Sequence, residues 1–183
     1  MKKKYKIHST IGNLNNHIGV PLTLLSAPFD TEILIIEMGA NHIGEIATLC
    51  TIANPNYGII TNIGKAHLEG FGSLKGVIKA KTELYKYLSK NNGCVFYNED
   101  NNILNEIVKK LKVNKVSYGS SKNASYPGRL ISASPFLEFA IKLNVNNELS
   151  IKTKLIGGYN YENAMAAAAI GQFFHVPIED IKE

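Results

Sequence analysis

Residues 32–63, EILIIEMGANHIGEIATLCTIANPNYGIITNI, decide the fold. EILIIE (32–37) is apolar without alternation, the pattern of a strand buried on both faces of a parallel sheet. GEIATLCTIA (44–53) carries helical periodicity, and Asn54-Pro55 stops it because the residue before a proline disfavours the α region. YGIITNI (57–63) then reads as a second buried strand. Strand, helix and strand in this order make one βαβ unit.

The same alternation extends in both directions. A strand near 4–9 and a helix over 17–26 precede the unit. A long helix over 73–90, a strand at 93–98, a helix at 101–112 and a strand at 115–119 follow it. Residues 129–156 alternate apolar and polar side chains, with Asn146-Asn147 as a turn, which predicts an antiparallel excursion. A helix resumes over 161–174, and PIEDIKE starts another. The expected class is α/β: a mostly parallel sheet flanked by helices, with a small antiparallel excursion.

The composition suits one soluble globular domain of 183 residues, with 45% hydrophobic and 19% charged residues. No apolar run approaches the roughly 20 residues of a membrane-spanning helix, and MKKKYKIHST leads into no apolar signal segment. Cys50 and Cys94 stand alone and far apart, without disulfide or metal-ligand spacing, and a cytoplasmic protein is expected. The net charge of +5 invites a nucleic-acid reading, but Arg129 is the one arginine among 20 basic residues, against twenty asparagines. Scattered lysines form a solvated surface, whereas specific nucleic-acid binders cluster their basic residues and favour arginine on bases. No nucleic-acid partner is expected.

In α/β sheets ligands collect beyond the carboxyl ends of strands. Glu37 ends the first buried run there, and Asn62 and His67 lie at and just after the end of the second. Taken alone, Glu37 serves equally as a loop or helix cap, and His67 as a partly buried histidine with its bonds satisfied. Lys81 falls in a gap of the apolar stripe Leu74, Val77, Ile78, Leu84, Tyr85 and Leu88, on the same helix face. Such a lysine either snorkels to solvent or loses its proton by desolvation; a neutral amine can capture carbon dioxide and become an oxygen ligand for a hard cation. Asn160 and Asn163 stand three apart at a helix start. Spacing alone makes Asn160 an N-cap; the alternative is a pair of amides facing a heteroaromatic ring.

Taken together, STIGNLNNHIGVPLTLL (9–25), IIEMGANHIGEIATLCTIANPNYGIITNIGKAHLEGFGS (35–73), KAKTELYKYL (79–88) and GGYNYENAMAAAAIG (157–171) resemble the central domain of the Mur ligases, ATP-dependent amide-forming enzymes of peptidoglycan synthesis. GNLNNHIGVP and EMGANHIGEI are most similar to the member that joins D-alanyl-D-alanine to UDP-N-acetylmuramoyl-tripeptide. They favour it over the related folylpolyglutamate synthases and over a non-catalytic nucleotide- or partner-binding fragment. The resemblance implies ATP and Mg2+ as cofactors. It implies Glu37, His67 and a carbamylated Lys81 at the metal, with Lys81 and His67 as catalytic residues. Asn160 and Asn163 match the adenine-contacting pair, with Tyr159 where the family usually has histidine, and Asn62 is expected on the cofactor side. Thr10, Asn13 and Asn15 lie in the segment that faces the UDP-linked substrate.

Gly64-Lys65 does not complete G-x-x-x-x-G-K-[ST], and no such phosphate-cradling segment occurs in the 183 residues. The family places that unit ahead of KKKYKIHST and an amine-binding domain after HVPIEDIKE. The sequence is therefore expected to be a central domain lacking its P-loop unit and the C-terminal ligase domain, and to be inactive by itself. Without the first strand, an exposed sheet edge is expected to pair with a second copy.

Overall fold

The computed structural model describes residues 1–64, 71–144 and 146–183. Two compact units emerge, one from residues 2–94 with 112–114, the other from 95–111 and 115–183.

In the front unit, β1 (Ile7–Ser9) and β2 (Ile33–Ile35) pair in parallel, Ile7 opposite Ile33 and Ser9 opposite Ile35. Between them runs α1 (Gly19–Leu25); α2 (Glu45–Ala53) and β3 (Tyr57–Ile59) follow. Val20, Ile46, Leu49 and Cys50 form the buried centre, with Leu24, Ile36, Met38, Leu84 and Tyr87 packed around it. Asn54 ends α2 in the left-handed region (φ 45°), its N–H donating to the Cys50 carbonyl at 2.9 Å. This is the stop that Asn54-Pro55 predicts.

Two expectations change here. The run 32–37 is a strand of three residues with Leu34 41% and Ile35 48% exposed, not a strand buried on both faces. Ile36 and Met38, just past the strand, pack against the core of Val20, Ile46, Leu49 and Cys50, while Leu34 and Ile35 stay exposed. The helix over 73–90 is two helices, α3 (Leu74–Lys81) and α4 (Glu83–Lys90), meeting at Thr82. The Thr82 hydroxyl donates to the Ile78 carbonyl at 2.7 Å, sharing that acceptor with Thr82's own N–H at 3.0 Å. Such back-bonding by threonine loosens and bends a helix. Helical bonds resume at once, from the Lys86 N–H to the Thr82 carbonyl at 3.0 Å.

The second unit holds a broader sheet. Its strands β4 (Cys94–Asn98), β5 (Asn114–Gly119), β6 (Tyr126–Ser132), β7 (Glu138–Lys142) and β8 (Glu148–Lys152) lie side by side in chain order. β5 and β6 are parallel, while β6, β7 and β8 form the expected antiparallel excursion. The turn after β7 is closed by Asn144, whose side-chain oxygen accepts the N–H groups of Asn146 and Asn147, each at 3.0 Å. The helices are α5 (Asn102–Lys109), α6 (Asn160–Phe173) and α7 (Ile178–Lys182).

Val95, Phe96, Leu137, Ile141, Met165 and Ala169 are fully or almost fully buried in this second core. Phe96 meets the edge of Phe173 with ring centroids 5.0 Å apart, a favoured aromatic geometry. Small residues let α6 lie close to the sheet: a Cβ on Gly128 would fall 2.5 Å from the Met165 sulfur. No helix among the described residues is long and apolar enough to cross a membrane.

Candidate functional site

Glu37 stands two residues beyond the end of β2 and is held from two sides. Its N–H donates to the Thr10 hydroxyl at 2.9 Å, and the Asn15 amide donates to its Oε1 at 2.7 Å. Thr10 continues the β1–β2 ladder, donating its N–H to the Ile35 carbonyl at 3.0 Å. Asn15 also accepts the Gly39 N–H on its carbonyl at 2.8 Å, and a Cβ on Gly39 would come within 2.9 Å of the Asn15 side chain. Glycine at 39 thus admits the asparagine that orients the carboxylate. Thr10, Asn15 and Glu37 form one cluster, whereas Asn13 is exposed in the preceding loop and touches the cluster through its carbonyl, which accepts the Asn15 N–H at 2.7 Å.

Beside this cluster a cavity of about 540 Å³ is lined by Asn15, Asn16, His17, Asn41, Glu45 and Thr48, with Ala40 and Leu49 as apolar contributions. Backbone and carboxylate bonds shape its wall. Glu45, the first residue of α2, accepts the Asn41 N–H at 2.7 Å and the His42 N–H at 3.2 Å, and these bonds lower its pKa. The Glu83 carboxylate accepts the Gly44 N–H at 2.7 Å and the Ala47 N–H at 3.0 Å. Neither acid stands out in the sequence. The available signal was a helix starting at a glycine, which has no side chain to cap it and so needs an acceptor from elsewhere.

Lys81, the last residue of α3, is half-buried, and its ammonium donates to the Asn62 carbonyl at 2.9 Å. Desolvation lowers its pKa. Lys81 is thus partly withdrawn from water while its ammonium keeps a carbonyl partner. Asn62 therefore meets Lys81 through its backbone, with its side chain exposed. His67 lies outside the described residues. Among the described residues no cluster of three or more His, Cys, Asp or Glu side chains is placed to hold a metal ion.

In the second unit Asn160 is the first residue of α6, not its N-cap. Tyr159 holds the cap position, and the Asn160 amide donates back to the Ile156 carbonyl at 3.0 Å. The turn starts one residue early because Gly157, at φ 92°, reverses the chain and accepts the Asn160 N–H at 3.2 Å. Asn163 is exposed one turn later and Tyr159 is 78% exposed, so this helix start presents an amide and an aromatic ring to solvent. The Tyr118 and Tyr161 hydroxyls are buried without a hydrogen-bond partner among the described residues, and burial pushes the Tyr161 phenol up to about 12.

The family model for the Mur ligase middle domain matches residues 1–171. The chain belongs to the Mur ligase family. It is 38% identical over 178 residues to the UDP-N-acetylmuramoyl-tripeptide–D-alanyl-D-alanine ligase of Bacillus subtilis, a match covering 97% of this chain and 37% of the relative. MurF from Acinetobacter baumannii superposes with a TM-score of 0.85 at 28% identity, over 98% of this chain and 39% of that one. MurF from Thermotoga maritima, solved in complex with ADP, gives 0.82 at 28% identity, over all of this chain and 43% of that one. The chain thus spans about two fifths of the length of the Mur ligases it matches. As a Mur ligase middle domain it carries Glu37 and Lys81 in its front unit, and Asn160 and Asn163 in its second.

Proposed function

We propose that this chain is the middle-domain portion of an ATP- and Mg2+-dependent ligase that joins D-alanyl-D-alanine to UDP-N-acetylmuramoyl-tripeptide in the cytoplasm. The observation that carries the reading is the Thr10–Asn15–Glu37 cluster beside an amide-lined cavity, in a chain 38% identical to such a ligase.

The donor chemistry fits a hard cation. Glu37 offers a carboxylate fixed by an amide, and Lys81 an amine whose charged form burial disfavours, as carbamate formation requires. We assign Glu37, His67 and carbamylated Lys81 to the metal. Magnesium, when bound, offsets repulsion between phosphate oxygens and the attacking carboxylate. The chain's own residues supply orientation. Asn15 fixes the Glu37 carboxylate and Thr10 its backbone, while the Asn62 carbonyl holds the Lys81 amine. Thr10, Asn13 and Asn15 are assigned to the substrate side, Asn160 and Asn163 to adenine, and Asn62 to the cofactor side. Holding reactants in line accounts for much of the acceleration in such acyl transfers; here ATP would phosphorylate the carboxylate with release of ADP, and the incoming amine would displace phosphate from the acyl phosphate to leave the amide.

Titration calorimetry with ADP and Mg2+ tests the reading. Binding is expected to require Mg2+ and to weaken at least about tenfold in Glu37→Ala and in Lys81→Met, a loss of one charge-assisted contact. Absence of binding, or Mg2+-independent binding unchanged in both variants, overturns it. No P-loop motif lies in these 183 residues, so this polypeptide is expected to release no ADP from ATP when given both substrates; clear turnover overturns that part.

We propose in addition that copies associate through the β1–β2 ladder, whose outer edges are unpaired among the described residues and whose Leu34 and Ile35 are exposed. A monomer mass across a light-scattering concentration series overturns it.

A further inference from the structure

We infer that Glu83 is a positioning residue, clamping the loop that follows Glu37 to the helix pair that presents Lys81. Gly44 holds the cap position of α2, at φ 97° and without a side chain, which leaves the first N–H groups of the helix without the usual cap. Both acceptors that replace it come from one carboxylate. Glu83 takes the N–H groups of Gly44 and Ala47, the two positions that a local capping box would satisfy. Its negative charge also sits at the positive end of the α2 dipole.

Glu83 follows Lys81 by two residues and opens α4. The loop from Glu37 to Gly44 and the helix end bearing Lys81 therefore meet at this side chain. One turn along α4, the Tyr87 hydroxyl donates to the Asn54 side chain at 2.9 Å, at the far end of α2. α2 is thus held to α4 at both ends, but only the Glu83 end adjoins the loop that carries Gly39, Ala40 and Asn41 into the cavity wall. Glu45 stiffens the same loop from within by accepting the Asn41 and His42 N–H groups. A displacement of the α2 start therefore moves the Glu37 side of the site relative to Lys81. Glutamate suits the task because it has two acceptor oxygens for two donors, where glutamine has one.

The inference rests on the metal role proposed for Glu37 and Lys81. Its test compares the 183-residue chain with Glu83→Ala, Glu83→Gln and Tyr87→Phe, the last removing the other end of the clamp. Two quantities are read: amide exchange at Gly44 and Ala47, and the affinity for Mn2+ in the presence of ADP, from the paramagnetic resonance of the free ion. In Glu83→Ala both amides are expected to exchange about tenfold faster and Mn2+ to bind about tenfold more weakly, the scale of lost charge-assisted hydrogen bonds. Glu83→Gln is expected to fall between, and Tyr87→Phe to lower stability with Mn2+ affinity unchanged. Faster exchange in Glu83→Ala with unchanged Mn2+ affinity makes Glu83 a local cap only and overturns the inference. Equal weakening by Tyr87→Phe ascribes the effect to general destabilisation and overturns it too. Failure of the unaltered chain to bind Mn2+ removes the metal role itself, whereas unchanged exchange at Gly44 and Ala47 removes the clamp alone.

Discussion

The front unit and the second unit carry the same alternation of strand and helix, yet they use it differently. Among the described residues of the front unit each strand is three residues long, and Ile18, Leu22, Leu25, Phe29, Leu34 and Ile35 remain exposed. In the second unit the strands run five to seven residues, and Phe96, Leu137, Ile141 and Met165 are almost wholly buried. The front unit compensates with polar clamps: Asn15 on Glu37, Glu45 on its own loop and Glu83 on α2. Apolar burial is non-directional and builds stability in proportion to area, whereas hydrogen bonds fix direction and distance. The second unit has polar clamps too, such as Asp100 on Ser120, but those of the front unit converge on Glu37 and the loop that follows it.

This contrast can be broken. Phe96→Ala is expected to have the largest effect, costing about 3–5 kcal/mol in urea unfolding through the lost ring and the cavity left beside Phe173. A cost below about 1 kcal/mol would mean that the second core is no better packed than the front one. Next, Cys50 and Cys94 should separate by alkylation. Cys50 is fully buried, and desolvation, helped by the charge of Glu83, pushes its thiol from 9.0 to about 11. At pH 8 the half-buried Cys94 is expected to react first. The folded state holds the Cys50 proton more tightly than the unfolded chain does. Its contribution to stability is therefore fully present below pH 9.0 and is lost as pH rises through about 11. A Cys50 that reacts as fast as Cys94 at pH 8 would show that the front core opens readily.

The smallest effect is expected for Phe29→Ser. Phe29 is fully exposed, so stability should change by no more than about 0.5 kcal/mol. A loss above about 1 kcal/mol in thermal unfolding would show that Phe29 is covered in solution and would remove the contrast in exposure.

Much of this was legible in the sequence for stated physical reasons. Asn54-Pro55 marked the end of α2, the alternation after residue 129 marked the antiparallel strands, and the gap at Lys81 marked a lysine held partly out of water. Other features were not legible. EILIIE was expected to be buried on both faces, but burial depends on which elements cover each face of the sheet, and that is not written in the run itself. Asn160 was expected to cap its helix, but the φ of Gly157 moved the turn by one residue. Of the three residues expected on the substrate side, Thr10 and Asn15 reach Glu37 and Asn13 does not, a distinction set by backbone course rather than residue type.

By itself the sequence determined the α/β alternation, the family and the chemical types available for a site, because periodicity and motif wording are local properties. The tertiary structure decided which of those residues meet. Asn15 reaches Glu37 across 22 positions, and Glu83 reaches Gly44 across 39. Such partners are chosen by folded geometry, since an uncapped helix start accepts a carboxylate from whichever element the packing brings to it.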